Sequence, residues 1–212
     1  MLEKGPRLSL NKFIKSYSAI FILILFTISC SDKESKIPVI NYQNKAQLLE
    51  IVKKHYDQNV NVAFGGDFDG NEKNTIAIGE EIENRNEWGI KFAQLQMLDN
   101  EFKLKFETRL LQGSFKQSFV DKIKFASFEN ELVYFNSGNY FLGSGGGEIY
   151  SYIVDFAAKQ VYYAHLVIEP SNVILLFISK NTENREIKNF FLLTFRKDYP
   201  NLRIVDEDPT ID

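Results

Sequence analysis

Oxygen-bearing side chains recur at alternate positions in one short segment of this 212-residue chain. Asp67, Asp69 and Asn71 follow two glycines and precede an apolar run at 75–79. Alternate side chains of a tight loop point inward, and Ca²⁺ takes about six to eight oxygen ligands. The spacing therefore favours a calcium loop. A Gly/Asp/Asn-rich turn between two strands accounts for the same residues without a metal, and both interpretations stay open.

Segment 64–79 resembles the Asp-Phe-Asp-Gly-Asp-Gly loop and following strand of the FG-GAP/VCBS repeats, which occur in integrin-type β-propellers and many exported bacterial proteins. The resemblance implies oxygen ligands at alternate loop positions, which fall here on Asp67, Asp69, Asn71, the backbone carbonyl of Lys73, and Thr75. Glu72 replaces a glycine of the family pattern and Thr75 replaces an aspartate, so we expect a weak Kd of about 10⁻⁴–10⁻³ M. The segment occurs once, and the chain is too short for a closed propeller of about four or more blades.

A second glycine-rich stretch lies at 143–147. A phosphate cradle would continue with lysine and a helix, whereas Glu148 begins a predicted strand. A nucleophile elbow would carry glycine two residues before Ser144, where Leu142 stands. We interpret the stretch as a turning loop in which Gly145, Gly146 and Gly147 are candidate contact points for a partner, because glycine lets backbones approach closely.

Few other residues suggest chemistry. His55 and His165 are the two histidines, and neither has a second clear ligand nearby, which argues against zinc. No serine elbow or cysteine nucleophile is recognisable, so the sequence shows no catalytic residues for acyl transfer. Adjacent Glu80 and Glu81 suit either acid–base catalysis or a solvated surface. We predict no catalytic residue, and Ca²⁺ is the one cofactor that the sequence suggests.

The N-terminus has the parts of a secretory signal. Four basic residues precede an apolar run at 19–26, and the small residue Ser29 precedes Cys30. The run is roughly half of the about 20 apolar residues that a membrane-spanning helix needs. We therefore predict that residues 1–29 are a cleaved signal peptide.

Residues 27–30 resemble the lipobox of bacterial lipoproteins, although Thr27 stands where that family usually has leucine. The resemblance implies diacylation of the Cys30 thiol, with palmitate-type chains, and cleavage before this cysteine. Each buried methylene contributes about 0.8 kcal/mol, so several chains make a nearly permanent anchor. We expect residues 30–43 to form a polar tether.

Ser31, directly after the cysteine, resembles lipoproteins that are sorted to the outer membrane. Asp32 and Glu34 resemble the acidic export tag of some surface lipoproteins, interrupted here by Lys33. The expected location is the outer membrane, with the domain facing the periplasm or the surface.

Charge and cysteine content narrow the class of partner. Removing the signal takes away four basic residues and one acidic residue. The mature chain then has 21 basic and 27 acidic residues, a net charge of −6. An acidic domain argues against nucleic acid, whose phosphates require a basic face. Cys30 is the only cysteine, so the mature domain cannot form an internal disulfide.

The mature chain is predicted to be mainly β, a β-rich α+β fold. One amphipathic helix at 44–56, capped by Asn44, has apolar residues at helical spacing. Strict alternation at 102–110 and a strand at 88–98 predict a hairpin around Asp99 and Asn100. Further strands are predicted at 61–64, 75–79, 122–128, 131–135, 148–156, 161–168, 173–179, 190–195 and 202–205. About eleven strands form an antiparallel meander, sandwich or barrel-like, in one domain at 44–212.

Three functions fit these observations. The first is a non-enzymatic binding or accessory module of the cell envelope, with a protein or glycan partner. The second is an envelope hydrolase whose carboxylates converge only in the fold, and the third is an inhibitor or protective partner protein. A pocket with two perturbed carboxylates favours the hydrolase, whereas an exposed aromatic or edge-strand surface favours binding or inhibition.

Overall fold

The computed structural model describes residues 37–71, 73–85, 87–140 and 145–208, with the backbone alone described at 139 and 140. Within them the chain forms ten strands, two α-helices and a 3₁₀ turn at Phe115–Gln117. The helices are α1 (Lys45–His55) and α2 (Arg185–Asp198). The strands are β1 (Val60–Gly66), β2 (Thr75–Glu83), β3 (Trp88–Leu98), β4 (Glu101–Glu107), β5 (Ser118–Ile123), β6 (Leu132–Tyr140), β7 (Gly147–Asp155), β8 (Gln160–Ile168), β9 (Ile174–Ile178) and β10 (Arg203–Val205).

Sheet A has the order β1-β2-β3-β4, and all its neighbouring strands are antiparallel. The predicted hairpin is confirmed, because Leu98 pairs with Glu101 across a two-residue turn. Asp99 and Asn100 have φ angles of 51° and 62°. Two consecutive left-handed residues match the twist of a two-residue hairpin, and Asn and Asp tolerate that conformation better than other side chains.

Sheet B has the order β10-β9-β8-β7-β6-β5. Strands β5 to β9 form the antiparallel meander that the turn residues predict. β10 instead pairs parallel to β9, because α2 carries the chain back along the sheet between them. The prediction of a wholly antiparallel meander is therefore wrong at its last strand.

Three hydrophobic clusters order these elements into layers. Phe92 of sheet A and Phe135 of sheet B meet edge to face in the inner cluster, with centroids 5.6 Å apart. On the outer face of sheet A, Leu48 and Val52 of α1 pack against the sheet. On the outer face of sheet B, Phe191 of α2 packs in the same way. The result is a two-sheet sandwich with one helix on each outer face and no closed barrel.

The strand predicted at 190–195 is wrong, because these residues lie in helix α2. The described residues form ten strands rather than the predicted eleven, and two helices rather than one. Asn184 caps the helix by accepting hydrogen bonds from the amides of Glu186 and Ile187. Ile187, Phe191 and Phe195 are buried at a spacing of four residues, which is one face of a helix. The run of Phe and Leu at 190–195 is apolar on both faces of the helix, which concealed this periodicity.

The residues just before α1 pack on the domain. Ile37, Ile40 and Tyr42 lie against the outer cluster of sheet A. These residues fall in the predicted tether at 30–43, whose first part, with Cys30 and the signal at 1–29, lies outside the described residues. No helix in the described part of the chain is long and apolar enough to cross a membrane.

Candidate functional site

A cavity of about 520 Å³ opens between the segment 109–112 and the inner face of sheet B. Leu111 holds this segment against sheet A by exchanging two backbone hydrogen bonds with Ile90, of 2.9 and 2.8 Å. The Gln112 amide donates to the Tyr152 hydroxyl of sheet B at 3.1 Å. The walls of the cavity are Arg109, Leu110, Leu111, Gln112, Tyr150, Tyr152, Tyr163 and Asp208.

Three tyrosines, which we call the tyrosine row, line the sheet side of this cavity: Tyr150, Tyr152 and Tyr163. Tyr150 and Tyr152 are two residues apart on β7, so they share one face of the strand. Their rings are nearly parallel, at 3°, with centroids 6.5 Å apart. Tyr163 on β8 lies directly opposite Tyr152 in the register, at 6.3 Å between ring centroids. Strand alternation and cross-strand pairing thus bring the three rings together.

The hydroxyls of the tyrosine row stay protonated at neutral pH. Burial raises the pKa of Tyr150, and the Glu148 carboxylate, which accepts a 2.9 Å hydrogen bond from its hydroxyl, raises that pKa further. Burial also raises the pKa values of Tyr152 and Tyr163. A protonated phenol is a hydrogen-bond donor and a poor nucleophile. The row therefore suits binding better than covalent catalysis.

A buried histidine lies beside the row, on the same face of sheet B, because His165 pairs with Tyr150 across β7 and β8. His165 has no exposed surface and stacks on Tyr150, with ring centroids 4.3 Å apart at 8°. Its Nδ1 lies 2.9 Å from Oδ1 of Asp208, and a carboxylate oxygen accepts, so Nδ1 carries the proton. Its Nε2 is buried and has no hydrogen-bond partner among the described residues. These contacts place Tyr150 and Asp208 in fixed positions on the cavity wall.

A second cavity of about 280 Å³ adjoins the first, because Gln112 and Tyr150 line both. Its walls are Trp88, Gln112, Gly113, Ser114, Lys116, Gln117, Ser137, Gly138, Glu148 and Tyr150. Trp88, the only tryptophan of the chain, is 46% exposed at this end. We call the two cavities together the tyrosine groove. Two basic side chains, Arg109 and Lys116, and two acidic ones, Asp208 and Glu148, line it, so its charges balance.

The groove was not apparent in the sequence. The aromatic residues there are accounted for by a β core, and most phenylalanines among the described residues do lie in the core. The alternation of Tyr150 and Tyr152 is the one local signal. Tyr163, Gln112 and Asp208 join them only through sheet register and through contacts between distant segments.

The predicted calcium loop lies at the opposite end of β2 from the Glu80 and Glu81 pair. The Asp67 carboxylate accepts from the amides of Gly70, at 2.9 Å, and Asn71, at 3.1 Å. Gly70 has a φ of 70°, which this tight turn requires and glycine adopts readily. The Asn71 side chain likewise accepts from the Lys73 amide at 3.0 Å. The predicted ligands therefore shape the turn through their own hydrogen bonds.

Asp69 is bound on both carboxylate oxygens. Gln94 donates to one at 2.6 Å, and the Lys105 ammonium lies 2.6 Å from the other. Gln94 also donates to Thr75 Oγ1 at 3.2 Å. A cation at this loop would need Lys105 to leave Asp69, because an ammonium and a metal ion compete for the same carboxylate. Glu72 lies outside the described residues. Among the described residues, no cluster of three or more His, Cys, Asp or Glu side chains is arranged to hold a metal.

The remaining predicted positions are scattered. Gly145 has a φ of 70° and open space around it, whereas Gly146 and Gly147 are buried at the start of β7. His55 ends α1, on the other side of sheet A. The Glu81 carboxylate accepts from the Ser114 hydroxyl and the Phe115 amide, so it holds the 3₁₀ turn. None of these residues lines the tyrosine groove.

No family model, curated protein or solved structure matches this chain.

Proposed function

We propose that this chain is a binding module of the cell envelope, anchored by lipid on Cys30, and that its ligand lies in the tyrosine groove. The observation that carries the proposal is the tyrosine row, three rings with protonated hydroxyls beside Arg109 and Gln112. Aromatic walls with a few placed polar groups are typical of ligand sites. The acidic mature chain and the lipobox resemblance support an envelope location.

The experiment compares two arginines that differ in position and share their charge. Arg109 lines the groove, whereas Arg203 is exposed on β10, away from it. Trp88, the single tryptophan, reports binding through its emission. An envelope extract is separated into polysaccharide, peptide and lipid fractions. We expect one of these fractions to shift the Trp88 emission of the wild-type protein and of Arg203→Ala. Arg109→Ala should weaken that response about tenfold at an unchanged melting temperature. Equal responses of the two variants would exclude the groove as the binding site.

A hydrolase is the second candidate, and one observation favours it. Glu148 and Asp208 line the two adjoining cavities on either side of Tyr150. Paired carboxylates across a groove are the machinery of glycoside hydrolysis. Each carboxylate is already hydrogen-bonded, to Tyr150 and to His165, which suits a positioning role. Loss of bond cleavage in both Glu148→Gln and Asp208→Asn, with binding retained, would establish the hydrolase.

A further inference from the structure

We infer that the tyrosine groove takes an uncharged oligosaccharide; this inference rests on the proposed binding function and names its ligand class. Two adjoining cavities share Gln112 and Tyr150, and aromatic rings, an amide and both signs of charge line them. A sugar ring has a C–H face that packs on aromatic rings and hydroxyls that both donate and accept hydrogen bonds. The groove offers partners for both.

The charges of the groove argue against anionic ligands. Arg109 and Lys116 are matched by Asp208 and Glu148. A nucleotide or phosphorylated ligand would need an excess of cationic groups. The neutral phenols of Tyr150, Tyr152 and Tyr163 add hydroxyl groups without adding charge, and the Tyr150 proton is already donated to Glu148. A chain of neutral, hydroxyl-rich units fits this balance.

The backbone of the groove argues against an extended peptide. A peptide that joins a sheet needs free amide and carbonyl groups along an edge. Both backbone groups of Leu111 are bonded to Ile90, and the Gln112 amide is bonded to Tyr152. The Leu111 backbone and the Gln112 amide are therefore already paired, which favours recognition by side chains at this wall. Side-chain hydroxyl, amide and ring contacts are those that a sugar uses.

The test uses the full chain and Trp88 emission. The probes are the tetramer of β-1,4-glucose, the tetramer of N-acetylglucosamine, their monomers, tetra-alanine and adenosine monophosphate. We expect at least one sugar tetramer to give a saturable shift, about tenfold tighter than its monomer because it spans both cavities. Tetra-alanine and the nucleotide should give none.

Two neighbouring tyrosines provide the matched control. Tyr163 faces the groove, whereas Tyr162, the adjacent residue on β8, packs toward the opposite face of sheet B. Tyr163→Ala should weaken sugar binding about tenfold or more, and Tyr162→Ala should leave it within about twofold. Melting curves of both variants establish that they are folded.

The outcomes separate the ligand class from the site. If no sugar shifts Trp88 while the peptide or nucleotide does, and Tyr163→Ala abolishes that shift, the sugar inference fails and the binding function stands. If a sugar binds equally to the wild type and to Tyr163→Ala, both the groove assignment and the inference drawn from it are overturned. If the sugar is shortened during the titration, the ligand class is supported and the non-enzymatic function is overturned.

Discussion

At the scale of single residues, the chemistry of a tyrosine or a carboxylate here depends on the side chain opposite it. Burial and the neighbouring Glu148 carboxylate, to which the Tyr150 hydroxyl donates, raise the pKa of Tyr150 above that of an ordinary tyrosine. The Asp69 carboxylate forms an ion pair with Lys105, which lies 36 residues away along the chain. The spacing of Asp67, Asp69 and Asn71 is visible in the sequence, whereas Lys105 becomes a neighbour only when β4 joins the sheet.

The prediction of calcium binding at the loop can be tested through Lys105, which pairs with Asp69. With a Kd of about 1 mM, about 5 mM Ca²⁺ would stabilise the fold by about 1 kcal/mol, or about 2–4 °C in Tm. We expect the Tm shift of the wild type to be smaller than this value, because Lys105 competes with Ca²⁺ for Asp69. The Tm shift of Lys105→Gln should be larger than that of the wild type, because the uncharged glutamine no longer competes. Melting temperatures with Ca²⁺ and with chelator measure the shift within each variant.

The control is Lys103→Gln, which removes an exposed lysine of the same strand. It should respond to Ca²⁺ as the wild type does, and Asp67→Ala should abolish the response. A Tm that Ca²⁺ leaves unchanged in both the wild type and Lys105→Gln would show that the loop is a turn without a metal.

At the scale of elements, periodicity is informative where one face of an element is polar. α1 and the β3–β4 hairpin have that contrast, and the sequence predicts both within a few residues of their bounds. α2 lacks it over residues 190–195, where both faces carry Phe or Leu. Leu193 is 72% exposed, an apolar residue on the polar side, and it made the run resemble a buried strand.

Two substitutions on α2 distinguish a helix from a strand by stability. Residues two apart share a face on a strand and lie on opposite faces of a helix. We expect Phe191→Ala to lower the free energy of unfolding by about 3–5 kcal/mol, because it empties a fully buried site. Leu193→Ala should change that free energy by no more than about 0.5 kcal/mol. Denaturant unfolding measures both, and comparable losses would contradict the helix.

At the scale of the whole molecule, the widths of the two sheets create the groove. Sheet A has four strands and sheet B has six, so the inner face of β7 and β8 meets the segment 109–112 instead of a further strand of sheet A. That segment follows β4 and bridges to β3 through Leu111 and Ile90. The unequal sheets therefore leave Tyr150 and Tyr163 partly exposed, while Tyr152 between the two sheets is buried.

The lipid anchor is also a property of the whole chain, and it remains a prediction. We expect Cys30→Ser to leave the protein without lipid, so that it partitions into the aqueous phase of a detergent phase separation. Ser35→Ala, in the same predicted tether, should leave partitioning into the detergent phase unchanged. Metabolic labelling with palmitate provides an independent readout. Undiminished membrane retention of Cys30→Ser would contradict the anchor.

The sequence by itself determined the features that depend on near neighbours in the chain. Those are the β-rich class, α1, the Asp99-Asn100 hairpin and the approximate positions of nine strands, because turn chemistry and alternation are local. The strand predicted at 122–128 overlaps β5 (Ser118–Ile123) only at residues 122 and 123. The signal and lipobox predictions are of the same local kind. Tertiary structure alone decided that 190–195 is helical, that β10 runs parallel to β9, and that Arg109, Tyr150, Tyr163 and Asp208 surround one groove. Each of these depends on contacts between distant segments, whose burial outweighs local preference.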